Sequence, residues 1–209
     1  MRRVIHSFVC LAIVAGLAMF AAIAMAQETV EEKSTGKEFP AKVSFAGEYK
    51  THDLKITGLG LRKKFWAKVY GMAHYMEGGR TFSSKNDALT TALSDQYAKQ
   101  ITLVFVRDVG AEKIQDAFRE GFKKNSNDTE MQQITALAEK FVAFFTKDIK
   151  NGERMVFRTQ PGGRVTTIIH GEEQEPISSV TFSTVLWRIW LGKHSIVDRN
   201  RLVEMVVED

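Results

Sequence analysis

The chain has 209 residues, with 29 Lys and Arg against 25 Asp and Glu, and a formal charge of +4 at pH 7. Arg2 and Arg3, in an apolar leader, carry two of those charges, so the remainder is close to neutral and gives no ground for nucleic-acid binding. The single cysteine, Cys10, lies in that leader too, which excludes a disulfide, a catalytic thiolate and a Cys-ligated zinc from everything after it.

The leader begins with basic Met1-Arg2-Arg3, continues almost wholly apolar from Val4 to Ile23, and ends in Ala24-Met25-Ala26, a small-residue cleavage pattern. We expect residues 1–26 to be a cleaved secretory signal and the mature protein to be periplasmic or secreted. The apolar run is also long enough for an uncleaved anchor. No later run is long enough to span a bilayer. Residues 27–38 are polar, charged and without periodicity, and are expected to be a flexible lead. Residues 39–209 then form one domain.

Val43 and Phe45 alternate with polar residues, the period of a half-buried strand, and Leu54, Ile56 and Leu59 continue as a second strand ending at Gly58-Leu59-Gly60. From Phe65 to Met76 runs a third strand that is apolar on both faces and therefore central. Its small residues Ala67, Gly71 and Ala73 leave room for a helix or a ligand to approach. Asn86 to Leu93 suits a short helix, and Gln100 to Val106 another buried strand. Ala111 to Lys124 has helical spacing. A further helix starts at Asp128, with an apolar stripe of Met131, Ile134, Leu137, Ala138, Phe141, Phe144 and Phe145 that suits a core. Arg154 to Thr159 and Arg164 to His170 read as strands joined at Pro161-Gly162-Gly163, followed by a short piece near Glu175 to Ile177. Thr181 to Leu191 is a helix stopped at Gly192, and Val197 to Val207 a last helix. This order indicates an α+β fold, a large antiparallel sheet backed by helices.

Catalytic signatures are sparse. No two histidines stand at a metal-ligating spacing, so no metal is expected. Gly58-x-Gly60 lacks the rest of a dinucleotide fingerprint, no nucleophile elbow is present, and no cofactor is expected. The one distinctive group is Arg62, a permanent cation with a planar fork of donors at a Gly-rich corner. Enclosed, it would favour an anionic or carbonyl-bearing ligand; the alternative is a solvent-facing Arg in a tight turn. Tyr70, Tyr75 and Tyr97 could donate hydrogen bonds.

Gly58-Leu59-Gly60-Leu61-Arg62, then Phe65-x-x-Lys68-Val69-Tyr70 and Ala73-x-Tyr75-Met76, resemble the signature of chalcone isomerase-like proteins, in particular their bacterial exported branch. The resemblance continues at Phe105-x-Arg107-Asp108 and at Trp187-x-x-Trp190-Leu191-Gly192-Lys193-x-Ser195-Ile196-Val197. It covers roughly residues 39–206. It implies an open-faced β-sandwich in which helices and the large sheet enclose a cleft. Plant members of the family cyclise chalcones, and their catalytic Arg corresponds to Arg62. Their catalytic Thr falls at Tyr70, a polar residue near the final Ile-Gly falls at Ile189, and their helix Tyr and Asn fall near Lys113 and Glu120. Other branches resemble fatty-acid binders in which an Arg and a Tyr hold the carboxylate.

The resemblance thus implies a non-catalytic binder of a small amphipathic carboxylate such as a fatty acid, with Arg62 and Tyr70 on the carboxylate and Trp66, Met72 and Ile189 lining the cleft. One alternative is an isomerase or intramolecular lyase acting on an enone or another unsaturated carbonyl compound, with Arg62 and Tyr70 catalytic. Another is a cell-envelope interaction module, in which Trp187 and Trp190 place aromatics on one helix face as an interface; core packing is the competing explanation for that pair.

Overall fold

A computed structural model describes residues 28–208; the expected signal at residues 1–26 lies outside the described residues. The strands are β1 (Thr29–Glu32), β2 (Lys37–Pro40), β3 (Lys42–Ala46), β4 (Thr51–Lys64), β5 (Ala67–Glu77), β6 (Lys99–Phe105), β7 (Arg154–Gln160), β8 (Arg164–Ile169), β9 (Glu172–Glu173) and β10 (Ile177–Ser178). The helices are α1 (Lys85–Leu93), α2 (Ala111–Asn125), α3 (Asp128–Val142) and α4 (Val180–Leu191). One antiparallel sheet runs in the order β10-β8-β7-β6-β5-β4-β3, with β9 also on β8, and curls into a half-barrel backed by the four helices. The curl brings the β3 end of the sheet back over β7: the Glu48 N–H donates to Gln160 Oε1 at 2.9 Å, and the Arg158 guanidinium lies over the Phe45 ring at 5.2 Å.

The glycines do not end β4, as the sequence suggested. The strand runs on through them because Leu202 crosses close above: a Cβ at Gly60 would stand 2.8 Å from Leu202 Cδ2, and one at Gly58 would strike the backbone of Arg201 and Leu202. The third strand also starts later than expected. Lys64 pairs with Ala67, leaving Phe65 and Trp66 as the two-residue loop of a hairpin.

Residues 27–38 are not a flexible lead throughout. Thr29–Glu32 and Lys37–Pro40 pair as an antiparallel hairpin lying on the sheet face opposite the helices. Its turn is held by Glu32, a buried carboxylate that accepts from the Thr35 N–H at 2.9 Å and the Thr35 hydroxyl at 2.7 Å. Phe39 anchors the far end among Phe45, Leu54, Ile56, Leu59, Ala73 and Tyr75. Polar composition hid this element because its cohesion lies in a carboxylate capping its own turn. The room left by Gly71 is taken by neither helix nor ligand: a Cβ there would meet Thr35 Oγ1 at 2.6 Å.

The larger core lies between sheet and helices. Phe118, Phe122, Phe141, Phe145, Phe157, Phe182 and Trp190 form a continuous ring cluster, with Phe118 stacked on Phe145 at 5.0 Å and edge-on to Phe141 at 4.9 Å. Such pairs add about 0.5–1.5 kcal/mol beyond their area. α3 starts on a reciprocal capping box, Asn127 with Glu130, and Glu130 also accepts from Arg188 of α4 at 2.8 Å. Trp187 and Trp190 are both buried, so they are core and present no interface from α4. The last helix expected over Val197 to Val207 is instead two short 3-10 turns, Arg199–Leu202 and Glu204–Val206. Phe82 explains the break: its N–H and carbonyl bond to the Val206 carbonyl and the Glu208 N–H, bridging it to Val207, a pairing an α-helix there would forbid. Among the described residues no helix is long and apolar enough to cross a membrane.

Candidate functional site

Arg62 sits near the end of β4 directly opposite Tyr70 of β5. Cross-strand partners project to the same face, here the helix face, since Tyr70 packs in the larger core. The pairing register shifts just after Arg62, as β4 approaches its turn. The motif that follows α4 completes the setting. Gly192 caps α4, the Ser195 hydroxyl lies 2.5 Å from the Trp190 carbonyl and 2.9 Å from that of Val197, and the resulting loop turns the Ile196 carbonyl toward β4. Arg62 Nη1 donates to that carbonyl at 2.7 Å. The guanidinium is half-buried, and its other N–H groups donate to no protein acceptor among the described residues.

Tyr70 is buried. Its hydroxyl accepts from the Trp190 indole N–H at 3.1 Å, and the hydroxyl's own proton has no acceptor among the described residues. Burial pushes its pKa up to about 12, with the Trp190 hydrogen bond and the Arg62 charge offsetting part of the rise. The phenol therefore stays protonated at neutral pH and acts as a donor. Together, Arg62 and Tyr70 offer unused N–H and O–H donors on one face, a set that suits a carboxylate.

The other residues anticipated for this site are placed differently. Met72, fully buried, follows Tyr70 on the same face beneath Leu202, where it fills the core. Ile189 of α4 is buried against α2: a Cβ at Gly121 would stand 2.9 Å from Ile189 Cδ1. Trp66 is not in this group. It is 91% exposed at the tip of the β4–β5 hairpin, because the strand ends at Lys64 and the loop turns its ring to solvent. Lys113 and Glu120 are both exposed on α2. Glu120 pairs with Lys124 at 2.6 Å and, helped mainly by that lysine and slightly by Lys64 and Arg62, ionises below the usual Glu range. Two open depressions on the surface lie elsewhere, one along β3 and β4 by Gly78 and one between α2 and α3.

Sequence reasoning missed a buried polar line under α4. The His74 Nδ1 lies 2.5 Å from the Thr57 hydroxyl, which is itself 2.7 Å from the Leu202 carbonyl. Its Nε2 is buried without a partner. Burial first, then the nearby Lys99 charge, lower the His74 pKa to about 3. Lys99 Nζ donates to the Ala92 and Ser94 carbonyls at 2.8 and 2.5 Å and lies 5.2 Å from the Trp187 ring centre. Burial lowers its pKa to about 8. The available signal was two ionisable residues, His74 and Lys99, set in otherwise apolar strands. Among the described residues no cluster of three or more His, Asp or Glu side chains could hold a metal.

A half-barrel sheet with an Arg at the end of its long strand and helices over that face defines a known class. The sequence pattern of the chalcone isomerase-like family matches residues 31–201, and the chain belongs to that family. Among solved structures it is similar to a fatty-acid binding protein of Arabidopsis thaliana, with a TM-score of 0.68 at 18% identity, over 86% of this chain and 96% of that one. No curated protein sequence matches.

Proposed function

We propose that this protein is a non-catalytic binder of a small amphipathic carboxylate such as a fatty acid, held at its head by Arg62 and Tyr70. The observation that carries this reading is the pair of donors unused among the described residues: a guanidinium with one N–H on the Ile196 carbonyl and the rest without an acceptor there, and a buried phenol whose proton has none there either. An anion placed between them would satisfy both. The structural likeness to a fatty-acid binding protein supports the same class of ligand.

Each charge-assisted hydrogen bond would contribute about 1.5–3 kcal/mol. Each methylene removed from water would add about 0.8 kcal/mol, so the tail would dominate affinity and Arg62 would set orientation. The tail would enter the seam between α2 and α4, where Ile189 now packs against Gly121. Parting that seam costs packing energy, so the reading favours ligands long enough to refill it.

The same geometry weighs against the isomerase alternative. A phenol with a pKa near 12 is a poor base at neutral pH, and the apolar Ile189 cannot orient a water. Titrating the protein with a series of saturated fatty acids by calorimetry, and extracting bound lipid from the purified protein, tests the proposal. Saturable binding that strengthens with chain length and is weakened in Arg62→Ala supports it; no binding across the series removes it.

A further inference from the structure

The β4–β5 hairpin ends in the most exposed pair of adjoining large apolar side chains among the described residues. Phe65 is 90% and Trp66 91% exposed. Neither ring packs on a neighbour, and the Trp66 indole N–H has no partner among the described residues. The backbone is strained to hold them there. Phe65 adopts φ +55, a left-handed conformation at the first position of a two-residue loop, which glycine or asparagine takes far more easily. A bulky aromatic kept at such a position loses folding stability and gains nothing from burial, which points to a role outside the fold.

Cations ring the aromatic pair. Arg62, Lys63 and Lys64 precede it and Lys68 follows it. Lys63 and Lys64 are exposed and without ion-pair partners among the described residues, and Lys68 reaches the Ser34 carbonyl at 2.5 Å with its charge uncompensated. Arg62 and Lys64 lend a little of their charge to Glu120, which is already paired with Lys124.

We propose that this hairpin tip docks on the surface of a lipid bilayer containing anionic lipids. Phe65 and Trp66 enter the boundary between headgroups and acyl chains while the lysines stay level with the phosphates. The pairing of chemistries is the argument. An indole has an apolar body and a polar edge and prefers that boundary, and flexible cationic side chains extend from it to the headgroup layer. A second copy meeting it tip to tip would carry the same positive charge to the contact and be repelled. The docking surface is independent of the carboxylate reading and stands if the Arg62 site takes no acid.

Trp66 itself reports the test, because Trp187 and Trp190 are buried and out of reach of a quencher in a bilayer. The full chain is mixed with vesicles of phosphatidylglycerol and phosphatidylcholine in equal parts, with bromine on the acyl chains, and emission is followed. The expected result is a blue shift and quenching that vanish in Trp66→Phe. Lys63→Gln with Lys64→Gln should weaken the apparent affinity roughly thirty-fold, and raising the salt should weaken it further. Protein that sediments with the vesicles while Trp66 keeps its solvent-exposed emission is held by its apolar N-terminal residues alone, and that overturns the docking. So does a blue shift that arises without vesicles and grows with protein concentration, which assigns the tip to a second copy. Equal quenching on pure phosphatidylcholine overturns the part given to the lysines.

Discussion

The Trp190 indole N–H donates to the Tyr70 hydroxyl at 3.1 Å, tying the end of α4 to strand β5 directly opposite Arg62. This bond uses the acceptor side of the phenol and leaves its proton for something else. Tyr70→Phe should therefore have two separable effects. The buried indole loses its partner, which should lower stability by about 1–3 kcal/mol in chemical denaturation. Fatty-acid affinity should fall several-fold beyond that, because the ligand loses one donor. A variant destabilised to this degree with unchanged affinity would show that the hydroxyl serves the fold alone.

The buried His74 makes stability depend on pH in a definite window. Its folded pKa is about 3, below the ordinary histidine value of 6.5. The unfolded chain thus takes up a proton at His74 before the folded one does. The stability it contributes is complete above pH 6.5 and is lost as pH falls toward 3, on the order of a few kcal/mol in all. The lowered carboxylates, such as Glu130 with its bonds from the Asn127 N–H and Arg188, act only further down, as pH drops below the ordinary Glu value. Urea denaturation between pH 7 and pH 5 should accordingly show a slope that His74→Gln flattens; an unchanged slope would mean that His74 takes up its proton over the same pH range in the folded and unfolded chain.

Gly71→Ala tests the seat of the N-terminal hairpin. The new methyl would stand 2.6 Å from Thr35 Oγ1, so the turn must lift or the strand must shift. A loss of about 1–3 kcal/mol is expected. Hydrogen exchange should locate it in residues 29–40, with β6 and β7 still protected. Loss of protection across the whole sheet would show that the hairpin is integral to it.

Much of this fold was legible because its strands and helices carry strong periodic patterns. α2 and α4 fall within a residue of their apolar spacing; α3 ends at Val142, so Phe144 and Phe145 of its expected stripe lie just past the helix, with Phe141 and Phe145 buried in the core and Phe144 packed against it. The failures share a cause. Where an element is specified by one long-range contact, local pattern is silent: Leu202 over Gly58 and Gly60, Glu32 on its own turn, Phe82 against Val207. The Arg62–Tyr70 pairing could be anticipated from the motif, since both residues flank one hairpin. The partners that set their state could not. The Ile196 carbonyl comes from 134 residues away and the Trp190 indole from 120 residues away. Trp66 was misplaced because alternation continues through Phe65 and Trp66 without a glycine to announce the turn.

The central claim is that Arg62 selects a ligand by its carboxylate. It is tested most directly by calorimetric titration of a long-chain fatty acid and its methyl ester into the wild-type protein and Arg62→Ala. The acid should bind the wild type roughly ten- to a hundredfold more tightly than it binds the variant, the equivalent of one charge-assisted hydrogen bond, and the ester should not distinguish the two proteins. Equal affinity of the acid for both proteins would contradict the account.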